Sequence, residues 1–493
     1  MSPPAVPAVT SPQATTQLDL SPFDQIAPRV CVHKFFCFGF PDPTRQPEAI
    51  EHLRQCLFTT VQRWPFIAGQ VGPRPDFEQS NKLELRYATP VDISSCDNIL
   101  VVKHVARDEF PYSYEQLKQA GMPPSVMDMK VLASVPEWPD PTKTFPALSV
   151  QANFIAGGLI LCFAFHHAVA DGGSFITFIK AFGAGFPDVG RSDSGVVRPV
   201  VDKTAHKRLT HISAPGDEIR PLNSYPQYNP GTCTAREPST APMTTRILQF
   251  SAETIRKLEQ SVNKYLKSQI DDSVYVTNIG CLSSLIWVAV VRARCARLDP
   301  GDTVKIGVAV NVRAVTDPAL PDDYFGNAFL HATGTAIVSE LLAGDESANI
   351  ESIPSTIPVS AVARAAWHLK DAVKLTNKFV MDRLKTFSAL EDPAEVFKAY
   401  EIAMDNHNTG IDFSSWRDQG ANVAFGIPGT TTSTVEFWRK AWSPNEGAYN
   451  IFPRKGGSKG EDAWEVSLGL TVEDMEVLCS VDELGAWLFR VLE

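Results

Sequence analysis

The sequence predicts a mixed α/β protein built from two lobes, and three observations support this prediction. A chain of 493 residues is too long for one ordinary domain core. Strand-like apolar runs alternate with helix-like spacings on both sides of a segment rich in Pro, Ser and Thr at 191–241. Hydrophobic residues at 44% and charged residues at 20% are typical of a globular protein. We therefore expect an N-terminal lobe at 19–190, a crossover linker at 191–241 and a C-terminal lobe at 242–493.

The start of the chain is expected to contribute nothing to either lobe. Residues 1–18 are mostly Pro, Ala, Ser and Thr with almost no charge and no apolar periodicity, which predicts a disordered leader. The N-terminal lobe then begins with a buried strand at 30–40. The inner face of the next helix is predicted to carry Leu53, Leu57 and Val61. This helix should end before Trp64, because the residue that precedes a proline disfavours helix.

A hairpin is predicted at 148–165, and a double histidine follows it directly. The second arm, 159–165, is continuously apolar and comes after Gly157-Gly158. It leads into the string His166-His167-Ala-Val-Ala-Asp171-Gly172. Helical spacing then appears in Phe175, Phe178, Ile179 and Phe182. The histidines are therefore expected on a turn between a buried strand and a helix, where side chains reach a cleft.

The C-terminal lobe shows the same alternation of elements. Strands are predicted at 246–250, 274–278 and 304–312. An amphipathic helix is predicted at 282–297.

The double-histidine string indicates acyl transfer by a histidine base. Neutral imidazole is the side chain best suited to remove a proton from an acceptor near neutral pH, and we assign this role to His167. Asp171 could orient the imidazole, or it could turn away and pair with an arginine. The backbone at Gly172-Gly173 could approach the oxyanion that forms during attack. The alternative is that the histidines cap a strand and Asp171 is only a turn residue.

Spacing alone is a weak signal. His104 and Asp108 show the same spacing without the second histidine or the trailing glycine, and we assign no function to them.

Charge and cysteine usage exclude several classes of function. A net charge of -11 argues against nucleic-acid binding. The nine cysteines are scattered and form no Cys-x-x-Cys pair, which favours reduced thiols over a zinc site or a disulfide framework. His206 and His211 have metal-ligand spacing but no third ligand. No apolar run reaches the ~18 residues of a membrane span. We expect a cytoplasmic monomer without a metal.

Two groups of basic residues are candidate contacts for an anionic ligand. Arg292, Arg294 and Arg297 are predicted to lie on the charged outer face of a helix rather than to bind phosphate. The segment from Arg454 to Lys459 is predicted to be a solvated hairpin tip.

Taken together, the motifs resemble the BAHD family of CoA-dependent acyltransferases, in particular its fungal branch related to trichothecene 3-O-acetyltransferase. The resemblance covers nearly the whole chain. The segments that carry it are 20–25 (Leu-Ser-Pro-Phe-Asp-Gln), 64–69 (Trp-Pro-Phe-Ile-Ala-Gly), 166–172, 311–313 (Asn-Val-Arg), 321–327 (Pro-Asp-Asp-Tyr-Phe-Gly-Asn), 464–466 and 473–475.

This resemblance implies a fold and a set of roles. The fold is two chloramphenicol-acetyltransferase-like lobes, with mixed sheets flanked by helices and a channel between them. His167 is then the general base and Asp171 a structural residue paired with Arg313, with His166, Gly172 and Asn311 supporting the site. Acyl-CoA, with acetyl-CoA favoured, is the co-substrate, and neither a metal nor a covalent acyl-enzyme is implied.

One signature departs from the family pattern. The second motif of the family, Asp-Phe-Gly-Trp-Gly, is best placed on Ala424-Phe425-Gly426-Ile427-Pro428. By this placement Phe425 and Gly426 support the site, while Ala424 replaces the aspartate and the tryptophan is lost.

We therefore predict an acyl-CoA-dependent O-acyltransferase that acts on a hydroxyl of a fungal secondary metabolite, a small-molecule acceptor. Two alternatives stay open. The first is an enzyme of the same fold with a carrier-protein donor or cyclisation chemistry. The second is a non-catalytic binding relative, which the loss of the aspartate at Ala424 would suit.

Overall fold

The computed structural model describes residues 14–185, 203–212, 218–231, 240–270, 272–344, 350, 352–420, 422–443, 445–454 and 462–493. Its strands are β1 (Ala14–Asp19), β2 (Cys31–Gly39), β3 (Gln70–Pro73), β4 (Leu83–Thr89), β5 (Leu100–His104), β6 (Phe145–Pro146), β7 (Leu148–Ile155), β8 (Gly158–His166), β9 (Met243–Phe250), β10 (Thr303–Asn311), β11 (Phe329–Ile337), β12 (Gly410–Ser415), β13 (Phe437–Arg439), β14 (Ala448–Ile451), β15 (Trp464–Thr471) and β16 (Arg490–Leu492).

The helices alternate with these strands along the chain. They are α1 (Pro22–Gln25), α2 (Gln46–Arg63), α3 (Phe77–Ser80), α4 (Tyr114–Ala120), α5 (Met129–Leu132), α6 (Gly172–Ala184), α7 (Lys203–Thr210), α8 (Ala252–Gln269), α9 (Asn278–Ala293), α10 (Val338–Leu342), α11 (Val359–Lys378), α12 (Val380–Ala389), α13 (Ala394–Met404) and α14 (Val472–Leu478).

Three sheets organise the described part of the chain. A five-stranded sheet in the order β13-β2-β8-β7-β5 forms the centre of the N-terminal lobe. A seven-stranded sheet in the order β11-β10-β12-β14-β15-β9-β16 forms the centre of the C-terminal lobe. Parallel pairs, such as β10 with β12, occur beside antiparallel ones, such as β9 with β15. A small four-stranded sheet, β1-β4-β3-β6, completes the set.

Local sequence patterns predicted the elements around the double histidine well. The predicted strand at 30–40 is β2, and the hairpin arms are β7 and β8, paired in register from Leu148 opposite Phe165. Helix α2 ends at Arg63, directly before Trp64. Helix α6 buries Phe175, Phe178, Ile179 and Phe182 against the sheet. The structure confirms these predictions. They succeeded because each rests on one continuous apolar pattern.

The predicted leader is too long. Residues 14–18 belong to β1, which pairs antiparallel with β4 and brings Leu18 opposite Leu85. The side chains of β1 alternate between exposed and half-buried positions, so the strand lacks the apolar run that predicts a strand. Residues 1–13 lie outside the described residues.

The predicted boundary at 242 does not separate the two cores. Strand β13, far into the C-terminal half, pairs with β2 and brings Trp438 opposite Phe36. The ring of Phe425 also packs against Phe36, at 5.5 Å between ring centroids. The segment that contains both rings therefore covers the N-terminal sheet. This crossing depends on contacts across roughly four hundred residues, which no local pattern records.

The described parts of the predicted linker at 191–241 are packed against the protein. They contain α7, and Tyr225 and Tyr228 are buried in a cluster with Tyr324 and Tyr400 from the C-terminal half. Much of this segment, 191–202, 213–217 and 232–239, lies outside the described residues.

Two predictions in the C-terminal lobe are wrong. The strand predicted at 274–278 is a loop that leads into α9. The N–H of Val276 donates to Asn263 Oδ1, and its carbonyl accepts from Asn263 Nδ2. The predicted amphipathic helix is α9, whose residues from Cys281 to Val291 are all buried. The charged residues that suggested an amphipathic helix lie at one end, after Val291, and not along one face.

The bonds from Asn263 to Val276 give a first testable prediction. Asn263→Ala leaves the buried N–H of Val276 without a partner, at a cost of about 1–3 kcal/mol, and leaves its C=O with only the weak hydrogen bond from Cys281 Sγ. Thermal unfolding should therefore show a clearly lower midpoint. The neighbouring exposed residue provides the control, since Lys264→Ala should change stability by only about 0.5 kcal/mol. Equal midpoints for the two variants would contradict the assigned role.

Candidate active site

The double histidine lies where β8 ends and α6 begins. His166 is the last residue of β8, and α6 starts at Gly172. Asp171 caps this helix, because its side chain accepts a hydrogen bond from the backbone N–H of Ser174 at 2.9 Å. The predicted arrangement of strand, turn and helix is therefore present, and its ends are held by regular structure.

Asp171 pairs with Arg313 and not with His167. The guanidinium donates from Nη1 and Nη2 to the two carboxylate oxygens at 2.8 and 2.7 Å. The backbone N–H of Ala328 donates to the same carboxylate at 2.9 Å. Burial alone would raise the pKa of Asp171, but the Arg313 charge and these hydrogen bonds hold that pKa below its ordinary value. The carboxylate is thus ionised, and both of its oxygens accept hydrogen bonds.

Arg313 is itself held by the segment that follows it. It donates to the carbonyl of Gly326 at 2.8 Å and to the side-chain oxygen of Asn311 at 3.2 Å. That asparagine oxygen also accepts from the backbone N–H of Arg313 at 3.1 Å. Asn311 therefore contacts the arginine directly and fixes its orientation.

The backbone of the two histidines is anchored on both sides. The N–H of His167 donates to the carbonyl of Val30 at 2.8 Å, and the His167 carbonyl accepts from Asn327 Nδ2 at 2.8 Å. His166 Nδ1 accepts from the N–H of Ala168 at 3.2 Å, and burial lowers the pKa of His166 to about 3. His166 is therefore a neutral residue that stabilises the turn.

Three segments that carry the family resemblance meet at Asn327. Its backbone N–H and its side-chain Nδ2 both donate to Asp24 Oδ1, at 2.7 and 2.9 Å. Asp24 belongs to the segment 20–25, and Asn327 ends the segment 321–327. Because Asn327 also holds the His167 carbonyl, these segments support the histidine turn directly.

The His167 ring opens into a large cavity between the two lobes. The cavity has a volume of about 1060 Å³ and is lined by residues from both lobes, among them His167, Gly172 and Gly173 from the N-terminal side and Asn311 and Phe329 from the C-terminal side. This volume exceeds the upper end of the range of roughly 300–1,000 Å³ that is usual for pockets holding one small ligand. Two reactants can therefore share it.

His167 is neutral in this environment. Its ring packs against Phe329, with the ring centroids 5.3 Å apart. Its Nδ1 is buried and has no hydrogen-bond partner among the described residues. Burial lowers the pKa of His167 below its ordinary value, while the carboxylate of Asp171 opposes this shift. An unprotonated imidazole that lines the cavity can accept a proton from a ligand there.

A lysine that the sequence analysis did not select also lines the cavity. Lys34 lies in the middle of β2, is only 3% exposed, and donates to the side chain of Gln419. A charged residue inside a predicted buried strand was the available signal, since such residues are rarely buried without a reason.

A polar wall faces His167 from the C-terminal lobe. His331 stacks on Tyr400 with ring centroids 3.9 Å apart, and burial lowers the pKa of His331 to about 3. Asp412 and Glu401 lie nearby, and burial raises the pKa of Glu401 to about 7. His331, Tyr400 and Glu401 belong to none of the sequence motifs, so only the structure identifies them as cavity residues.

The second-motif segment lies behind the site and does not line the cavity. The side chain of Phe425 is packed among Phe36, Phe38 and Phe182. Gly426 follows with a φ of +57°, a conformation that favours glycine. Ala424 forms an isolated β-bridge with Thr434 and is exposed. These residues support the N-terminal core, which holds β8 and α6.

The remaining histidine candidates lie apart from the cavity. His206 bonds the carbonyl of Asp19 and so fastens α7 to β1, while His211 contacts the carbonyl of Lys207. His104 stacks on Phe154 at 5.7 Å. In the described ranges, no His, Cys, Asp or Glu side chains come together in a group able to hold a metal ion.

The arginine candidates form ion pairs within the protein. Arg292 pairs with Glu483, and Arg297 pairs with Asp474. Arg294 is buried and also contacts Asp474, so the predicted outer position is wrong for this residue. Arg454 pairs with the exposed Asp418, and residues 455–459 lie outside the described residues.

Comparison with known proteins decides the family. The model of the transferase family matches residues 122–484. The chain belongs to the transferase family. The model of the trichothecene 3-O-acetyltransferase-like N-terminal domain matches residues 31–182 of this transferase. The predicted resemblance to the BAHD acyl-CoA-dependent acyltransferases is thereby confirmed.

Relatives of the transferase occur among fungal acyltransferases. The O-acetyltransferase cpsE of Aspergillus campestris is 24% identical over 349 residues, which are 65% of this chain and 68% of the relative. The O-acetyltransferase astG of Aspergillus oryzae is 24% identical over 493 residues, covering 92% and 98% of the two chains.

Solved structures confirm the predicted fold class of the transferase. The crystal structure of TRI101 from F. sporotrichioides, complexed with coenzyme A and T-2, has a TM-score of 0.70 and 22% identity, with 94% of this chain and 96% of that chain covered. The F. graminearum TRI101 complex with coenzyme A and deoxynivalenol has a TM-score of 0.72 and 18% identity, with the same coverage. Among the described helices, none combines the length and apolar character needed to cross a membrane.

The buried ion pair of the transferase gives a second prediction. Asp171→Ala leaves Arg313 charged and unpaired in the interior, and breaking such a pair costs about 3–5 kcal/mol. Urea unfolding should show a correspondingly lower midpoint. Glu48→Ala breaks the exposed pair with Arg45 and should cost about 1 kcal/mol or less. If Asp171→Ala lowered the urea midpoint no more than Glu48→Ala does, the structural role of the buried pair would be refuted.

Proposed function

We propose that this transferase moves an acyl group, most simply acetyl, from acyl-CoA to a hydroxyl of a fungal secondary metabolite, with His167 as the general base. One observation carries the proposal. His167 presents a neutral imidazole to a cavity shared by both lobes, while the nearby carboxylate of Asp171 is bound to Arg313.

The choice of donor and acceptor rests on chemistry and on the relatives. The relatives include proteins named O-acetyltransferases, and solved structures of the same fold contain coenzyme A together with T-2 or deoxynivalenol. The cavity has room for two reactants, and apolar rings such as Phe329 line it beside polar groups such as Asn311. A largely apolar acceptor that carries a hydroxyl suits this lining.

The chemical step follows from the position of His167. The imidazole removes the proton of the acceptor hydroxyl as the oxygen attacks the thioester carbonyl. The C–O bond forms, and the carbonyl oxygen becomes an oxyanion. When the intermediate collapses, the C–S bond breaks, the ester remains on the acceptor, and the CoA sulfur takes the proton from the imidazolium. Asp171 carries no proton in this scheme, because Arg313 holds it ionised.

The oxyanion can be stabilised at the start of α6. Gly172 and Gly173 are the first residues of this helix and line the cavity, and the first N–H groups of a helix have no carbonyl within the helix to bind. The helix dipole also favours negative charge at this end. A Cβ at Gly173 would lie 2.6 Å from Arg313 Nη1, so a side chain there would displace the arginine.

The base assignment gives a third prediction. His167→Ala should reduce acetyl transfer by about 100- to 10,000-fold while the protein stays folded and still binds coenzyme A in calorimetry. Transfer is measured as free CoA thiol and product mass, with acetyl-CoA and extracts of a fungal source. The matched control is His104→Ala, which removes a histidine of the same spacing outside the cavity and should leave turnover unchanged. Full turnover in the His167 variant would rule out its role as base.

The charge state of His167 gives a fourth prediction. The base works only when it is unprotonated, so kcat/KM falls as the pH drops through the pKa of His167. Because burial lowers that pKa below the ordinary 6.5, kcat/KM should fall to half of its maximum at a pH below 6.5. A pH series measured well below saturating substrate tests this. A decline centred above pH 6.5 would show that His167 is not the titrating base.

A further inference from the structure

Lys34 places a primary amine inside the same cavity as the proposed base. Its side chain projects from the middle of β2 and is 3% exposed, yet it belongs to the cavity lining. Val30 directly precedes this strand, and its carbonyl accepts a hydrogen bond from the backbone N–H of His167 at 2.8 Å. Lys34 and His167 are close enough that a charge on the lysine lowers the pKa of the histidine.

Aromatic rings surround the Lys34 amine. The nitrogen lies 3.9 Å from the ring centroid of Phe175, 4.4 Å from that of Trp416 and 5.5 Å from that of Trp438. The side-chain oxygen of Gln419 accepts one hydrogen bond from the amine. The rings and this single acceptor hold the nitrogen in place and exclude water from it. The ring faces attract the charged ammonium, whereas the loss of hydration disfavours it.

The charge balance around Lys34 favours the neutral amine. The acidic group whose charge reaches it is Asp171, and both oxygens of that carboxylate are bound to Arg313. Burial lowers the pKa of Lys34 well below its ordinary value, and Asp171 offsets this only in part. A neutral amine keeps a lone pair while it donates a hydrogen to Gln419, and it is therefore nucleophilic.

We propose that Lys34 is a self-acylation site, which takes the acyl group of a bound acyl-CoA when no acceptor is present. This inference rests on the proposed function, because it requires acyl-CoA in the cavity. The neutral Lys34 nitrogen attacks the thioester carbonyl, a C–N bond forms and the C–S bond breaks. The nitrogen loses one proton, which leaves with the CoA sulfur as free thiol, and Lys34 becomes an amide.

The product fits its surroundings. A secondary amide is uncharged, which suits the three rings, and its one N–H can still be donated to Gln419. The added acyl group occupies space that the reactants would share. Modified protein should therefore transfer acetyl to an acceptor more slowly than unmodified protein.

The experiment uses the full chain with acetyl-CoA and no acceptor, followed by intact-protein mass and peptide mapping. We expect the mass of one acetyl group on the peptide that contains Lys34, with an occupancy about tenfold or more above that of Lys398, an exposed lysine at the same cavity. Lys34→Arg should lose this modification, while Lys398→Arg should keep it. Wild-type protein unfolded in urea should be modified without preference for Lys34.

The outcomes separate this inference from the proposed function. If wild-type protein binds coenzyme A in calorimetry but Lys34 gains no acetyl group, self-acylation is excluded and the proposed function stands. If coenzyme A does not bind, both fail. Equal occupancy at Lys34 in folded and unfolded protein would also overturn the inference. Because wild-type mapping decides the question, a poorly folded Lys34→Arg variant would not obscure it.

Discussion

The ion pair between Asp171 and Arg313 links residues that are 142 positions apart and fixes the candidate site at its centre. Two hydrogen bonds join the guanidinium to the carboxylate, and the same arginine binds the carbonyl of Gly326. Gly326 precedes Asn327, which holds the His167 carbonyl. One buried interaction therefore sets both the start of α6 and the backbone of the histidine turn. A buried pair of this kind adds little net stability, but it strongly disfavours any arrangement in which one partner is left alone.

This arrangement determines how His167 is held. In a hydrolase triad a carboxylate orients the imidazole and stabilises its protonated form, but here that carboxylate is occupied. His167 is positioned through its backbone, by Val30 and Asn327, and through the packing of its ring on Phe329. Burial then keeps the imidazole neutral. In the proposed reaction, a base without a carboxylate partner is weaker, which suits attack on a thioester, an activated carbonyl that needs less assistance than an amide.

The parts that could be predicted from the sequence are those in which one continuous segment carries the whole signal. Strand β8, the turn and α6 follow from a single apolar run and a helical spacing, and the resemblance supplied Arg313 as the partner of Asp171. The other features could not be predicted, because they depend on contacts between residues that are far apart in the sequence. The strand predicted at 274–278 failed because a side chain, Asn263, replaces the sheet hydrogen bonds. Lys34 was missed because its significance depends on Trp416, Trp438 and Gln419, which reach β2 from the other half of the chain.

The loss of the second-motif aspartate at Ala424 was the main argument for a non-catalytic relative, and the geometry weakens it. Ala424 is exposed, bridges to Thr434 and lies beside Gly183 at the far end of α6. Its neighbour Phe425 fills the core behind the sheet, and the carbonyl of Phe425 accepts a hydrogen bond from His52. The segment therefore acts on the site only by supporting the elements that carry it. A carboxylate is not required for that role when aromatic packing supplies the support. In contrast, the neutral ring of His167 and the pair of Asp171 with Arg313 are costly buried polar features that a purely structural core would not need.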